Sequence, residues 1–539
     1  MLLAYACLQV YCLHRLSLNY DEGSFAAYGR TLLKGEGNKD ILRYDSKLPI
    51  TALNMLPRAV EQVFHPGLKK SSNTEDVMRG RYISLLAMLL LALLVYRWSS
   101  ELYGERAGLF SLLLLLLCPN FLAHGIFLSS DIFACLFMAL SLYHCWRFRH
   151  TRGTRHFVYM SLAVALAQVS KFSMVHLVIL IAVLLLIGWL SGEPGAGSPE
   201  SGAGSPESGA GSLRFSVRSS KFRGWKRSLG LLLIFVFTNW LVICAAHLFY
   251  GMFVPLGDYH FSSPAFQHLQ AALGWLPVPL PSSYVGSLDI VMYYDRLGGG
   301  VPGALNGAPY MLGTHSVHGL WYYYFVALWY KLPLPVLLLL ALTVVAYLRK
   351  GGAAQFLRQE IYLILPALYY LIYMNFFYAT QVGIRHIIII LPLLYIFIGF
   401  FVARLQTPRA RVFGYALLLY ECVSVGLRFP HFLPYTNELI ADKKMAYMRL
   451  ADTNICYGEG EPFLFDYLHR HPGSVYEPDS IRAGRVVMEV NDVLDLSMGT
   501  MGKYDWVAPL RPVDHIHSQY LVYEISAALA DSLNKAKTR

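Results

Sequence analysis

A chain of 539 residues is long enough for several soluble domains, but 55% apolar residues, only 15% charged residues and a mean hydropathy of +0.43 exclude that division. The net charge of +11 would suit a nucleic-acid binder, yet residues 429–539 hold 11 Lys plus Arg against 15 Asp plus Glu, so the positive surplus belongs to the apolar part. Composition therefore predicts an α-helical polytopic membrane protein with the bilayer, and no nucleic acid, among its partners.

The opening segment MLLAYACLQVYCLHRLSL has neither a charged start nor a small-residue cleavage site, and it is read as a retained first span. Further apolar windows near 82–97, 108–123, 132–147, 157–170, 173–190, 229–250, 332–348, 361–379, 387–403 and 412–428 bring the expected number of transmembrane helices to about eleven. With the N-terminus cytoplasmic, five short inner loops carry 18 Lys plus Arg, whereas the short outer loops carry only Lys171 and Arg385. Orientation follows that bias, so the N-terminus is expected inside and the C-terminus outside.

Three large polar pieces then fall on the outer face: loop 19–81, loop 251–319 and the tail 429–539, which reads as a small α/β domain outside the transmembrane domain 1–428. Within the tail, helices are expected near 461–470 and at the C-terminus, and strands near 485–490 and 519–525. Transporters and channels usually place polar residues inside their spans, whereas this layout suits chemistry at the outer membrane surface. On the inner side, GAGSPESGAGSPESGAGS in loop 191–228 repeats a seven-residue unit too polar to pack, and it reads as a disordered cytoplasmic linker. The basic stretch after it, RFSVRSSKFRGWKR, is expected to meet anionic headgroups.

The candidate chemistry begins with Asp21 and Glu22, directly outside the first span. An acid here could cap the helix-compatible run GSFAAYGRTLL, or act as a general base at the membrane face. Asp131 stands at another outer span end and admits the same two readings; two acids meeting at one interfacial site could divide base and orienting roles, or share a divalent metal. Arg81, Lys171 and Arg385 are the cations of this face, with charge and geometry suited to a phosphate. Lys171, flanked by apolar sequence, is the hardest of the three to dismiss as structural. Nine aromatics in loop 251–319 fit an interfacial belt or a groove for a lipid tail or sugar ring. No HExxH spacing, P-loop or dinucleotide fingerprint occurs, which favours a membrane-dissolved donor over a soluble nucleotide.

A first span followed by YDE, an Arg opening span two and SSD opening span four resemble the C-type glycosyltransferase superfamily. The nearer likeness is to the branch that includes protein O-mannosyltransferases and the aminoarabinose transferase of lipid A. APYMLGTHSVHGLWYYYFVALWYKLPLPVLLLL, GIRHIIIILPLLYIF, HFLPYTNELIADKKMAYMRLADTNICYGEGEPFLFDYLHRHP and YDWVAPLRPVDHIHSQYLVYEI carry it along most of the chain. Two stretches depart from the common bacterial pattern: YDSKLPITAL, where many members have His-Pro-Pro, and TNICYGEGE, where many read SNLDWGQ.

The resemblance implies a glycosyltransferase using a polyprenyl or dolichyl phosphate sugar donor, with inversion, on the non-cytoplasmic face. The acceptor would be a protein or a glycolipid, and a bacterial inner membrane is the favoured location. It also implies Asp21 as catalytic base with Glu22 its neighbour, Asp131 as second acid, and Arg81 at the donor phosphate; Lys171 and Arg385 match less specific positions. A flippase for a lipid-linked sugar, with the acids as a proton relay, is the main alternative; a catalytically idle membrane scaffold is another.

Overall fold

The computed structural model describes residues 1–35, 48–65, 72–191, 213–298, 308–497 and 502–537. The Gly/Ser/Pro repeat lies outside the described residues. Each of the eleven apolar stretches falls on helix. Among the described residues three helices are long and apolar enough to cross a bilayer, or four if the bent pair Tyr323–Lys331 and Leu334–Lys350 forms one span. The chain is an integral membrane protein. The other apolar helices are shorter; Leu2–Leu13 has 12 residues and is about 18 Å long, well under the ~30 Å hydrocarbon layer.

The helix Asn73–Tyr103 is the spine. Ser72 and Glu75 form a reciprocal capping box at its start, satisfying backbone donors that nothing in the helix itself can reach. Met88, Leu91, Ala92, Val95 and Trp98 recur at helical spacing and are buried against the helices Glu105–Leu117, Asp131–Thr151 and Leu391–Val402. The basic stretch 214–227, expected as linker, is instead the first part of the helix Leu213–Ala246.

A 115° bend separates Tyr323–Lys331 from Leu334–Lys350. Pro333 explains it, because proline lacks an N–H and disfavours helical backbone at the residue before it. At the corner, the buried Lys331 donates to the carbonyls of Leu433 (2.5 Å) and Asn454 (2.7 Å), tying the bend to the last part of the chain.

That last part holds a four-stranded sheet in the order 475–476, 484–489, 520–525, 514–516, its first pair parallel and the others antiparallel. Alternation sorts its side chains. Val486, Met488, Leu521, Tyr523 and Ile525 face a core with Tyr447 and Tyr504, while Val487, Tyr520 and Val522 pack beside Leu464 and Tyr467 of the helix Glu461–Arg470. The helices Glu461–Arg470 and Ala527–Lys537 and the strands 484–489 and 520–525 stand where the alternation and periodicity of the tail place them, and the strands 475–476 and 514–516 add to those expected. Tyr310, from the segment before the bend, shares the first of these cores.

Two acids at the end of this sheet sit in unfavourable surroundings. Burial, with Asp492 and other acids nearby, pushes Glu477 up to about 8 and Glu489 up to about 7, from an ordinary 4.5. The folded chain thus retains protons that an unfolded chain has already released, so stability here declines as pH rises from about 5 to 8. Intrinsic-rate-corrected hydrogen exchange of 484–489 and 520–525 is expected to speed up across that window, and Glu489→Gln to flatten the change.

Candidate active site

The adjacent carboxylates of Asp21 and Glu22 part company. The Asn19 side chain accepts from the backbone N–H groups of Asp21 and Glu22 (both 3.0 Å), so it caps the helix Glu22–Leu33 and neither carboxylate is needed for that purpose. Glu22 turns inward and is completely buried. Its Oε1 takes the Arg81 Nε–H (2.8 Å) and the Leu128 N–H (2.8 Å); its Oε2 takes Arg81 Nη2 (2.5 Å) and the Asn19 N–H (2.9 Å). Arg81 is equally buried, and it also donates to the carbonyls of Ser17 (2.6 Å) and Leu13 (3.4 Å).

This bidentate pair joins the segment after the first helix, the spine helix and the turn before Asp131. The expectation that Arg81 meets a phosphate does not fit this burial, nor does a direct part for Glu22 at a substrate. Both hold the framework.

Asp21 turns outward, and about 39% of its side chain remains exposed. It lines a cavity of about 740 Å³ together with Asp131, Lys171 and Arg385. Four of the six residues singled out in the sequence thus converge, although they lie as far apart as positions 21 and 385. Arg385 Nη1 donates to Asp21 Oδ2 at 2.8 Å, and Lys171 Nζ donates to Asp131 Oδ1 at 2.6 Å.

Burial alone would raise both acids. For Asp21 that push is outweighed by the Arg385 charge and a hydrogen bond from Tyr457, which hold it below the usual carboxylate range. For Asp131, Lys171 and then Arg385 outweigh burial and bring it down to about 2. His386 also lines the cavity, and burial beside Lys171 and Arg385 keeps its imidazole neutral. Among the described residues no three His, Cys, Asp or Glu side chains converge as a metal set, and both cavity acids already face a cation.

Away from the charges the cavity wall becomes apolar, with Phe25, Phe172, Val175, Val291, Met292 and Met374. Phe266 and Tyr294 are the two aromatics of loop 251–319 that reach it. Tyr259 and Phe261 instead stack on each other, 5.0 Å between centroids, and Trp275 is exposed.

Tyr457 is the residue that sequence reading missed. Its hydroxyl donates to Asp21 Oδ2 and accepts from Arg385, whose guanidinium lies 4.7 Å above its ring. The segment 457–459 runs beside 17–20: Tyr20 N–H reaches the Tyr457 carbonyl (3.1 Å), and Ser17 N–H reaches the Glu459 carbonyl (3.0 Å). Gly458, at φ +88°, allows this approach, since a Cβ there would lie 2.6 Å from the Tyr20 ring. The available signal was TNICYGEGE, the stretch where the chain departs from the common pattern.

Residues 73–192 match the family model described as dolichyl-phosphate-mannose-protein mannosyltransferase. This segment contains Arg81, Asp131 and Lys171, and the resemblance read from the sequence is found again in it. Comparison with curated proteins finds no match. Among solved structures, ArnT from Cupriavidus metallidurans bound to undecaprenyl phosphate is similar at 14% identity and a TM-score of 0.47, over 82% of this chain and 63% of that one. Its apo state is similar at 15% identity and a TM-score of 0.45, over 79% and 62%. This chain thus spans under two thirds of the length of those structures.

Breaking the Glu22–Arg81 pair leaves a buried charge alone, which typically costs about 3–5 kcal/mol. Arg81→Ala and Glu22→Ala are each expected to lower the unfolding temperature in detergent sharply. Replacing both together is expected to cost much less than the two single losses combined, a coupling that a double-mutant cycle measures.

Proposed function

We propose that this chain is a membrane glycosyltransferase that moves a sugar from a polyprenyl or dolichyl phosphate to an acceptor hydroxyl or amine at the non-cytoplasmic face. The observation that carries the reading is the asymmetry of Asp21. Its Oδ2 is clamped by Arg385 and Tyr457, while no donor reaches Oδ1 among the described residues, and the carboxylate lines a cavity that holds paired charges at one part and is apolar at another. A carboxylate with one oxygen fixed and one open is arranged to take a proton from a nucleophile.

In this mechanism the acceptor oxygen or nitrogen attacks the sugar C1 and yields its proton to Asp21. The bond from C1 to the phosphate oxygen breaks on the opposite side, which inverts the anomeric carbon, and the lipid phosphate departs carrying the electron pair. Arg385 and Lys171 receive that charge. Arg385 has capacity for it, because its Nε–H is buried without a partner, and an unsatisfied buried donor gains most from an arriving anion. The apolar wall takes the first isoprene units, and partition into the bilayer supplies proximity without a nucleotide site. Asp131 holds Lys171 in place until a phosphate competes for it.

Full-length protein in proteoliposomes with a radiolabelled polyprenyl-phosphate hexose and a membrane extract as acceptor tests this. Wild type is expected to release the lipid phosphate, and Asp21→Asn to release it roughly 10²–10⁴-fold more slowly. Movement of the intact donor across the bilayer by both proteins, without release, would replace the transferase with a flippase.

In the same assay, Lys171→Met is expected to raise the KM for the donor more than it lowers kcat, because the ammonium meets the phosphate in the bound state as well as in the transition state.

A further inference from the structure

We propose that Tyr457 is the positioning residue of the base: it keeps Asp21 aimed and ionised when the donor phosphate draws Arg385 away. This rests on the transferase reading. In the free protein Arg385 and Tyr457 both donate to the same oxygen, Asp21 Oδ2. Two donors on one oxygen look redundant until the donor arrives. Arg385 is then shared between two anions, and its pull on Asp21 weakens as the phosphate takes part of its charge. The phenol is neutral, so the phosphate has no comparable claim on it.

The packing leaves Tyr457 little freedom to leave. It is 2% exposed. Its ring has the Arg385 guanidinium on one side, with Phe127 and Tyr20 set edgewise at 6.0 and 6.4 Å between centroids. Its backbone N–H is held at 3.0 Å by Oε2 of the buried Glu459, whose other oxygen takes His431 (2.6 Å) and Gln519 (2.5 Å). Burial beside Asp21 keeps the phenol protonated, so it stays a donor to the carboxylate.

The remaining charges around Asp21 cannot substitute. Asp131 repels its ionised form, and Lys171 is engaged with Asp131. Tyr20 directs its hydroxyl to Glu489 at 2.6 Å, away from Asp21. Tyr457 is therefore the single uncharged donor to this carboxylate among the described residues.

Tyr457→Phe removes the hydroxyl and keeps the ring under Arg385, so it separates the hydrogen bond from the packing. It is expected to lower kcat about tenfold while leaving the donor KM within about twofold, the size of one lost hydrogen bond to a charge. The acid limb of its kcat/KM profile is expected to move to higher pH, because the ionised form of Asp21 loses a stabilising donor. A residue with only a structural role would leave that limb in place, and an unchanged limb overturns the proposal.

An activity-independent measurement separates this proposal from the reading beneath it. Infrared titration of Asp-labelled protein, identified by difference against Asp21→Asn, follows Asp21 with and without polyprenyl phosphate. The gap between wild type and Tyr457→Phe is expected to widen when the lipid phosphate is bound. A gap of zero, or one unchanged by the lipid phosphate, overturns the role of Tyr457 even if the wild type is an active transferase. Absence of lipid-phosphate release by the wild type overturns the transferase reading, while the infrared result still decides what Tyr457 does to Asp21.

Discussion

The site depends on the burial of one ion pair. Glu22 and Arg81 have lost all contact with solvent, and such a pair is tolerable only when its remaining donors and acceptors are satisfied. Here they are met by the Leu128 and Asn19 N–H groups and the carbonyls of Ser17 and Leu13. These contacts come from two stretches of backbone, residues 13–19 and the turn before Asp131. The pair therefore fixes three things together: the exit of the first span, the angle of the spine helix and the turn leading to Asp131. With Glu22 drawn inward, the helical geometry that follows leaves its neighbour Asp21 at the cavity. One acid supplies position, and the other stays available for chemistry.

Charge in the cavity follows a second constraint. Two carboxylates and two cations close together in partly desolvated surroundings would each be costly alone, and pairing Asp21 with Arg385 and Asp131 with Lys171 removes most of that cost. Such pairing also resists random loss of charge while leaving the cations exchangeable for another anion. The hydrophobic wall beside them means that an amphiphile with an anionic head satisfies both parts of the cavity, whereas a soluble anion satisfies one.

Much of this was legible in the sequence, and the reasons are physical. Apolar windows mark helices because a bilayer or a buried bundle demands them, and the alternation in 484–489 and 520–525 marks strands because a two-faced sheet demands that. Asp21, Asp131, Lys171 and Arg385 stood out since each is an ionisable residue beside an apolar run. The same criterion also selected Glu22 and Arg81, and could not tell them apart from the others: a charge satisfied by an internal partner and a charge facing a cavity have the same sequence signature. Only the third dimension separates them. Tyr457 escaped for the opposite reason. An aromatic in a polar tail carries no cost that would draw attention, and its importance arises from a contact with a residue 436 positions away. The helix over 213–227 was hidden by its basic, apolar-poor composition next to a repeat.

The contact between Tyr457 and Asp21 also bears on how the protein is made. Asp21 leaves the ribosome well before its hydroxyl partner, which follows 436 residues later. At roughly 5–20 residues per second the interval is on the order of a minute or less. Throughout it the early helices can insert and pack, since Glu22, Arg81 and Leu128 are all present once residue 128 has emerged. Asp21, however, lacks both Arg385 and Tyr457 until late in synthesis. The order of translation thus builds the framework first and completes the surroundings of Asp21 last, so a nascent or truncated chain would occupy the membrane with this carboxylate unpaired.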